Sequence, residues 1–292
     1  MKILVIGGTR YFGKLLVQKL AENQKDQITV VSRQPLLDIN HNSCGITYAK
    51  VDRRDIDEFK TVTCYQNWDL IFDQICMNST DAAQACRLFS GRVGRYIATS
   101  SMSVYAFGSN LAEHEFEAQI HKFNEIANEY DEYAEAKRQM EATLSQNASF
   151  PVAFARFPIV LGPNDYTKRL LFHIQRIRNN EPIYFPNLQA RMSFIHSSDA
   201  ARGLLWLALS DVTGPINLSS RTPISLYNLV RSIEKAVDKN AHLTSESSKD
   251  NHSPFGIKSD WYLSVKRAKN EGFTSVDTFR WLLPLIESEK YK

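Results

Sequence analysis

The sequence predicts an α/β protein in which a doubly wound parallel sheet is followed by a smaller lobe. Through the first half of the 292 residues, short apolar runs alternate with segments whose apolar residues recur at helical spacing. The connections are short, which is typical of a parallel sheet covered by helices on both faces. A hydrophobic content of 43% with 23% charged residues is that of an ordinary globular chain, and the length suits one large domain with an added lobe.

Each element follows from a local pattern. Apolar runs predict strands at residues 3–6, 27–32, 46–51, 68–75, 92–99, 152–157 and 214–218. Helical periodicity predicts helices at 14–20, 80–89, 133–144, 167–179, 200–209, 225–237, 261–270 and 276–287. Asp55, Asp199 and Ser225 are predicted amino-terminal caps, and Gly272 is a predicted carboxyl-terminal cap. The polar stretch 241–253 predicts a mobile loop.

The turn after the first predicted strand carries three glycines. Gly7, Gly8 and Gly13 lie between the apolar run and a helix, and such a turn aims backbone N–H groups at one point where the helix dipole favours negative charge. The same glycines would suit a plain turn that needs positive φ, but a second strand at βαβ spacing favours a dinucleotide site. Arg10 stands where a middle glycine is expected and offers a guanidinium to a phosphate.

The end of the second predicted strand bears on the choice of dinucleotide. A carboxylate at this place binds the ribose 2′-hydroxyl of NAD, whereas Ser32 and Arg33 suit a 2′-phosphate. The alternative is a solvated arginine in a loop. Together with Arg10 the pair favours NADP, with NAD less favoured. Asp52, after the third strand, is a candidate acceptor for the adenine amino group.

Hydroxyl and phenol groups follow the fifth predicted strand. Ser101 lies in a serine-rich run at the carboxyl end of that strand, where open α/β sheets bind their ligands. Tyr133 and Lys137 are four residues apart and so share one face of a predicted helix, where an ammonium beside a phenol stabilises the phenolate. Surface helices also contain such pairs by chance. Together with the serine run and the glycine turn, the pair predicts an acid/base site.

The motifs together resemble the extended or atypical short-chain dehydrogenase/reductase family, which includes NAD(P)-dependent epimerases and dehydratases. The resemblance rests on residues 7–13, on Ser100-Ser101-x-x-Val104-Tyr105, on Tyr133-x-x-x-Lys137, on 156–163 and on 194–201, in the expected order. It implies a Rossmann-type fold, with Ser101 as a hydrogen-bonding serine and Tyr133 as the acid/base. It also implies that Lys137 binds the nicotinamide ribose and favours the ionised tyrosine.

The predicted cofactor residues comprise the turn, the ends of two strands, the lysine and one proline of the 156–163 motif. They are Gly7, Gly8, Thr9, Arg10, Tyr11, Phe12, Gly13, Ser32, Arg33, Asp52, Arg53, Lys137 and Pro158.

Two functions remain open at this point. The first is an NAD(P)-dependent oxidoreductase, epimerase or dehydratase acting at a hydroxyl or carbonyl carbon of a small substrate of the nucleotide-sugar kind. The second is a protein that binds NADP as a regulatory ligand and contacts RNA or another protein without turnover, because Arg10 in place of glycine is shared with an atypical subgroup that includes stem-loop RNA-binding relatives. The intact serine, tyrosine and lysine set favours the enzyme.

The predicted domains are an NADP-binding domain at 1–162, to which 199–220 return, and a substrate-binding lobe formed by 163–198 and 221–292. In the lobe, Arg169 and Arg191 are candidates to bind a phosphate or diphosphate of the substrate. Arg169, His173 and Arg176 share a face of the predicted helix at 167–179, and we expect that face to be solvated.

Composition limits the partners. A formal charge of +3 neither requires nucleic acid nor excludes a phosphate-bearing ligand, so nucleic acid is disfavoured but stays open. Cys44, Cys64, Cys76 and Cys86 form no close pair, and His41 with Cys44 is an isolated spacing, so we expect free thiols and no metal. No apolar run approaches the ~18 residues of a membrane span, and we expect a cytoplasmic protein with no membrane partner. The resemblance also implies a homodimer.

Overall fold

The computed structural model describes residues 1–34, 45–127 and 132–291. The chain divides into two compact units. The first comprises Met1–Tyr105, Glu113–Phe157 and Ala200–Leu218, and the second comprises Ala106–Ala112, Pro158–Asp199 and Ser219–Lys292. The first crossing into the second unit after residue 113 comes at Phe157, whereas the predicted domain boundary is residue 162. Residues 106–112, predicted for the first domain, also belong to the second unit.

The strands are short and are spread over the whole chain. They are β1 Lys2–Ile6, β2 Gln27–Ser32, β3 Ile46–Lys50, β4 Trp68–Asp73, β5 Val93–Ser101, β6 Gly108–Leu111, β7 Val152–Phe157, β8 Ile159–Leu161, β9 Pro182–Tyr184, β10 Arg191–Met192, β11 Phe194–His196, β12 Gly214–Asn217, β13 Ile224–Ser225, β14 His242–Thr244 and β15 Trp261–Leu263.

The helices alternate with these strands. They are α1 Tyr11–Ala21, α2 Ile56–Thr63, α3 Ser79–Phe89, α4 Tyr133–Asn147, α5 Arg169–Arg178, α6 Ser197–Leu209, α7 Leu226–Val237, α8 Lys266–Asn270 and α9 Thr278–Glu289. Two 3₁₀ turns lie at Met102–Val104 and Glu113–Glu115.

A seven-stranded parallel sheet forms the centre of the first unit, in the order β12-β7-β5-β4-β1-β2-β3. In the middle of the sheet Val5 of β1 pairs with Val30 of β2 on one side and with Phe72 of β4 on the other. Every residue of β7 is buried, as expected for a parallel strand covered on both faces. The carboxyl ends of the strands therefore share one edge, and the predicted doubly wound α/β fold is confirmed.

The second unit contains a separate core. Helices α5, α7 and α9 pack on one another around buried apolar residues. Its strands form a four-stranded sheet in the order β13-β10-β15-β6 and two pairs, β11 with β8 and β14 with β9.

Several predicted elements of the second unit are corrected by the structure. The predicted helix 261–270 divides into β15 and α8, because Trp261 pairs with Met192 of β10 and with Gly108 of β6, and this pairing overrides the local periodicity. The predicted loop 241–253 contains β14, and its Ser253 is buried. Asp199 does not cap α6. It lies in the first turn, where its carboxylate accepts the N–H of Val276 at 2.6 Å.

The other predicted caps are confirmed. The side chain of Asp55 accepts the N–H of Glu58, and that of Ser225 accepts the N–H of Asn228. Gly272 follows the end of α8 with φ of +95°, the left-handed conformation for which a glycine was expected.

His173 lies in the core, contrary to the predicted solvated face. Its ring stacks on Phe255 and Phe185, with centroid distances of 4.6 and 5.6 Å. Its Nδ1–H donates to the carbonyl of Arg169 at 2.8 Å, and its Nε2 accepts from the hydroxyl of Ser253 at 2.7 Å. Periodicity places the side chain by angle only, and the aromatic rings that cover it come from distant parts of the chain.

The burial of His173 predicts that the free energy of unfolding depends on pH. Desolvation lowers its pKa from 6.5 to about 4. Between these values the unfolded chain binds a proton that the folded chain does not, so the free energy of unfolding falls as pH falls through this window. We expect a loss of about 2 kcal/mol between pH 7 and pH 5 from this residue.

Urea unfolding at pH 7 and pH 5 measures that loss. His173→Gln, which cannot titrate, should show a smaller pH dependence than the wild type. His242→Gln, which removes an exposed histidine of the same unit, is the control and should leave the dependence unchanged. Equal pH dependence in the wild type and in His173→Gln would contradict the assignment.

Candidate active site

The glycine-rich turn between β1 and α1 has positions at which a side chain would not fit. Gly7 and Gly8 have φ of +87° and +102°. A Cβ at Gly8 would lie 2.8 Å from Cγ1 of Val5, and a Cβ at Gly13 would lie 3.0 Å from the Cα of Gly8. Glycine is required here because the chain turns through a left-handed conformation and α1 begins in close contact with the end of β1.

The amino terminus of α1 faces this turn without a side-chain cap. Arg10 occupies the N-cap position with extended backbone, and within the described chain its side chain makes no capping hydrogen bond. The N–H of Lys14 donates to the carbonyl of Arg10 at 3.1 Å, which starts the helix. The helix end carries partial positive charge, and the exposed Arg10 adds a full one. This arrangement suits an anion.

The two aromatic residues of the turn open α1. Tyr11 has φ of 51°, which is unusual for a residue with a side chain. Its ring lies 5.8 Å from that of Phe12, which in turn lies 5.6 Å from that of Phe157 at the end of β7.

The residues predicted to bind the adenosine half of the dinucleotide lie close together in the structure. The hydroxyls of Thr9 and Ser32 are 3.0 Å apart, so the end of β2 is joined to the glycine turn. Arg33 is 65% exposed, and its Nη1 lies 3.6 Å from a carboxylate oxygen of Asp52. Residues 35–44, which include the cysteine and histidine considered for a metal, lie outside the described residues.

Arg53 does not join this group. Its buried guanidinium donates to both carboxylate oxygens of Asp73, at 3.1 and 2.9 Å, and to the side chain of Gln84 at 3.2 Å. The hydroxyl of Tyr96 donates to the same Asp73 at 2.6 Å. Burial lowers the pKa of Arg53, but Asp73, Cys76, Asp81 and Tyr96 around it together raise the pKa above its usual value. Arg53 therefore holds Asp73, and we do not retain it as a cofactor residue.

Lys137 is fixed at the carboxyl edge of the sheet. Its side chain is 2% exposed, and its Nζ donates to the carbonyls of Cys76 at 2.8 Å and Thr99 at 2.9 Å. Tyr133, the first residue of α4, is 52% exposed. The two residues share one face of α4, one turn apart.

Ser101 ends β5, and its hydroxyl oxygen accepts the N–H of Ser103 at 3.1 Å. Since the oxygen accepts this bond, the hydroxyl hydrogen is left to be donated. Lys137 holds the carbonyl of Thr99, two residues before Ser101, so the helix of Tyr133 is tied to the strand of Ser101.

Sequence reasoning missed a buried ion pair between α4 and β7. Arg156 donates to both carboxylate oxygens of Glu141, at 2.9 Å to Oε1 and 2.6 Å to Oε2, and both side chains are 0% exposed. Ser100 donates to the same carboxylate at 2.5 Å, and Arg156 donates to the hydroxyl of Tyr105 at 2.6 Å. Burial raises the pKa of Tyr105. Two features of the sequence could have indicated this ion pair. Arg156 is the only charged residue in an otherwise apolar strand, and Glu141 follows Lys137 by four residues.

The predicted substrate residues lie in the second unit. Arg169 is exposed at the start of α5. Arg191 donates from Nε and Nη2 to Asp260, at 3.0 and 2.6 Å, and its guanidinium lies 4.7 Å from the centre of the Tyr262 ring. Its guanidinium is therefore committed to a carboxylate. Pro158, predicted for the cofactor, is buried between β7 and β8.

Comparison with known proteins identifies the family. The model of the NAD dependent epimerase/dehydratase family matches residues 3–218, which include the seven strands of the parallel sheet apart from Lys2 at the start of β1. The chain belongs to this family. The predicted resemblance and the predicted class, NAD(P)-dependent enzymes of the extended short-chain dehydrogenase/reductase type, are thereby confirmed.

Two curated relatives of this family member come from Arabidopsis thaliana. UDP-glucuronic acid decarboxylase 6 is 25% identical over 258 residues, 81% of this chain and 74% of the relative. The chloroplast stem-loop binding protein of 41 kDa b is 23% identical over 252 residues, 80% of this chain, and the match spans 63% of that relative.

Solved structures of other proteins share the fold. The UDP-glucuronic acid 4-epimerase from Bacillus cereus in complex with NAD superposes with a TM-score of 0.75 at 16% identity, covering 100% of this chain and 96% of the other. A putative epimerase from Burkholderia cenocepacia J2315 gives a TM-score of 0.78 at 16% identity, covering 100% and 98%. MoeE5 in complex with UDP-glucose and NAD gives 0.72 at 18% identity, covering 100% and 99%.

The described residues contain neither a helix that could cross a membrane nor a cluster that could bind a metal ion. Among residues 1–34, 45–127 and 132–291, no helix has the length and apolarity to cross a membrane. The same residues contain no cluster of three or more His, Cys, Asp or Glu side chains placed to bind a metal ion.

The buried pair of α4 and β7 predicts a large effect on stability. Glu141→Gln leaves the Arg156 charge buried without its partner, which typically costs about 3–5 kcal/mol. Urea unfolding of the variant should show this loss. Arg231→Gln, which breaks an ion pair with Glu234 in which the arginine is 58% exposed, is the control, and we expect less than about 1 kcal/mol. Similar losses in the two variants would contradict the importance of the buried pair.

Proposed function

We propose that this protein is an NAD(P)-dependent oxidoreductase, epimerase or dehydratase that acts at a hydroxyl or carbonyl carbon of a nucleotide sugar, with Tyr133 as acid/base. The placement of Lys137 carries the proposal. A tyrosine and lysine paired by chance on a surface helix would leave the ammonium in water. Here the ammonium is buried and bonded to the carbonyls of Cys76 and Thr99, at the sheet edge where α/β proteins bind ligands.

A dinucleotide fits the residues around the glycine turn. A Cβ would fill the turn at Gly8 and Gly13, and the amino end of α1 offers positive partial charge with no side-chain cap from Arg10. In the proposal, residues 7–13 hold the pyrophosphate, Ser32 and Arg33 hold the adenosine ribose and its phosphate, and Lys137 holds the nicotinamide ribose. The nicotinamide supplies hydride transfer when bound.

In the proposed reaction, Tyr133, Lys137 and Ser101 transfer or hold the protons. Tyr133 takes the proton of a substrate hydroxyl and returns one to the carbonyl formed from it. The ammonium of Lys137 stabilises the phenolate during this exchange. Ser101 donates its hydroxyl hydrogen to the substrate oxygen, because its own oxygen already accepts from Ser103. Two of the three N–H groups of Lys137 are used by carbonyls, and the third serves the ribose.

Similarity to proteins named for UDP-sugars supports the substrate class. The relatives include a UDP-glucuronic acid decarboxylase, and solved neighbours hold UDP-glucose or UDP-glucuronic acid with NAD. Of the two arginines predicted to bind the substrate anion, exposed Arg169 is the one we retain. The guanidinium of Arg191 is committed to Asp260 and keeps no such role.

A second candidate function is binding of NADP as a regulatory ligand by an RNA-contacting protein without turnover. The observation in its favour is the similarity to the chloroplast stem-loop binding protein. Turnover separates the two candidates, because only the enzyme converts a UDP-sugar.

The acid/base assignment predicts different effects for three substitutions. With UDP-glucuronic acid and UDP-glucose as probes and products separated by chromatography, Tyr133→Phe should lower turnover about 10²- to 10⁴-fold, since it removes only the transferable proton. Its affinity for NAD should stay near the wild-type value. Lys137→Ala should reduce both turnover and affinity, and Ser101→Ala should cost less than either. Retained turnover in Tyr133→Phe would contradict the mechanism.

The residues proposed to hold the adenosine ribose, Ser32 and Arg33, predict that the protein binds NADPH more tightly than NADH. A charge-assisted bond to a phosphate is worth about 1.5–3 kcal/mol, so Arg33→Ala should weaken NADPH binding about tenfold or more and leave NADH unchanged. Calorimetry with both nucleotides measures this. The control is Arg92→Ala, which makes the same change of charge. Arg92 precedes β5, so it lies at the amino ends of the strands and not at the carboxyl ends where the nucleotide is proposed to bind. Equal wild-type affinities for the two nucleotides would remove the NADP preference.

A further inference from the structure

Gln74 lies where the central strands end beside the glycine turn. It follows the last residue of β4, and its backbone N–H donates to the carbonyl of Ile6 at 2.9 Å, which ties it to the end of β1. Sequence reasoning gave it no role.

The side chain of Gln74 lies across the glycines of the turn. A Cβ added at Gly13 would lie 2.4 Å from the Oε1 of Gln74, and one added at Gly8 would lie 3.6 Å from the Nε2 of Gln74. A Cβ added at Gly7 would lie 3.3 Å from the Cβ of Gln74. The carboxamide therefore occupies the space that the absent side chains leave open, next to the amino end of α1.

The amide nitrogen of Gln74 is buried without a hydrogen-bond partner among the described residues. A carboxamide has two N–H donors, and burying them unpaired is costly, so native proteins rarely do it. An apolar side chain of similar length would fill the same space without this cost. A donor is useful here only if an acceptor arrives.

The backbone around Gln74 is held on both sides. Its neighbour Asp73 accepts from Arg53, from Tyr96 at 2.6 Å and from the N–H of Ile75 at 3.0 Å. Two residues later, the carbonyl of Cys76 accepts from Lys137. The carboxamide is thus presented from a fixed segment, which lowers the entropic cost of using it in binding.

We propose that the Nε2 of Gln74 donates a hydrogen bond to the pyrophosphate of the dinucleotide held at the glycine turn. The inference rests on the proposed function, because it needs a dinucleotide at this turn. The acceptor is an anion, which the end of α1 and Arg10 already favour. Gln74 is then a cofactor-binding residue that is separate from the Tyr133 chemistry.

The test is Gln74→Met, which keeps the length of the side chain and removes the donor. Calorimetry with NAD⁺ and NADP⁺ should show roughly 10- to 100-fold weaker binding of whichever nucleotide the wild type binds, because a hydrogen bond to a charged group is lost. The thermal midpoint of the nucleotide-free variant should equal or exceed the wild-type midpoint, since no internal hydrogen bond is removed. Gln74→Glu, of the same shape, should weaken binding at least as much, because a carboxylate repels the pyrophosphate.

Gln84→Met is the matched control in the same unit. The side chain of Gln84 donates to the carbonyl of Arg53 at 2.9 Å and accepts from its guanidinium at 3.2 Å, so both groups are used internally. This variant should lower the thermal midpoint and leave nucleotide affinity within about twofold.

The outcomes separate this inference from the function on which it rests. A wild-type protein that binds neither nucleotide overturns the proposed function and the inference with it. A wild type that binds while Gln74→Met binds equally well overturns the Gln74 assignment alone. A Gln74→Met midpoint lowered as in Gln84→Met also overturns it, since that result means that the amide serves packing in the nucleotide-free protein.

Discussion

A buried ammonium fixes α4 against the carboxyl edge of the parallel sheet. Lys137 reaches from α4 to carbonyls just beyond β4 and near the end of β5. A charge inside a protein is tolerated only when its hydrogen bonds are made, so α4 cannot slide or rotate without losing them. Tyr133 and Glu141 lie one turn to either side of the lysine, and their positions follow from it.

Two buried ion pairs flank that contact and have the same physical role. Arg53 with Asp73 holds the segment after β4, and Arg156 with Glu141 holds α4 against β7. Such pairs add little net stability, because desolvation offsets their attraction, but each is costly to separate. Any other arrangement of α4 against the strand ends would separate a pair and leave a charge buried alone.

Local signals predicted the fold and the elements that carry the candidate site, and long-range contacts account for the side chains whose partners they did not predict. The strand at 152–157 and the tyrosine-lysine spacing depend on neighbours in sequence, and the structure has β7 and one face of α4 at those residues. The partners of Arg53 and Arg191 are carboxylates 20 and 69 residues away, which no local pattern specifies. His173 shows the same limit, because rings from other segments cover a position that periodicity alone left on a polar face.

The parallel sheet of the first unit is completed late in the chain. Its edge strand β12, Gly214–Asn217, pairs with β7, although much of the second unit lies between them in sequence. As the protein is synthesised, β7 leaves the ribosome with one row of backbone groups unpaired and with apolar side chains on both faces. An open edge of this kind templates pairing with other nascent chains. Until residues 214–217 emerge, this edge of the nascent chain is therefore open to such pairing.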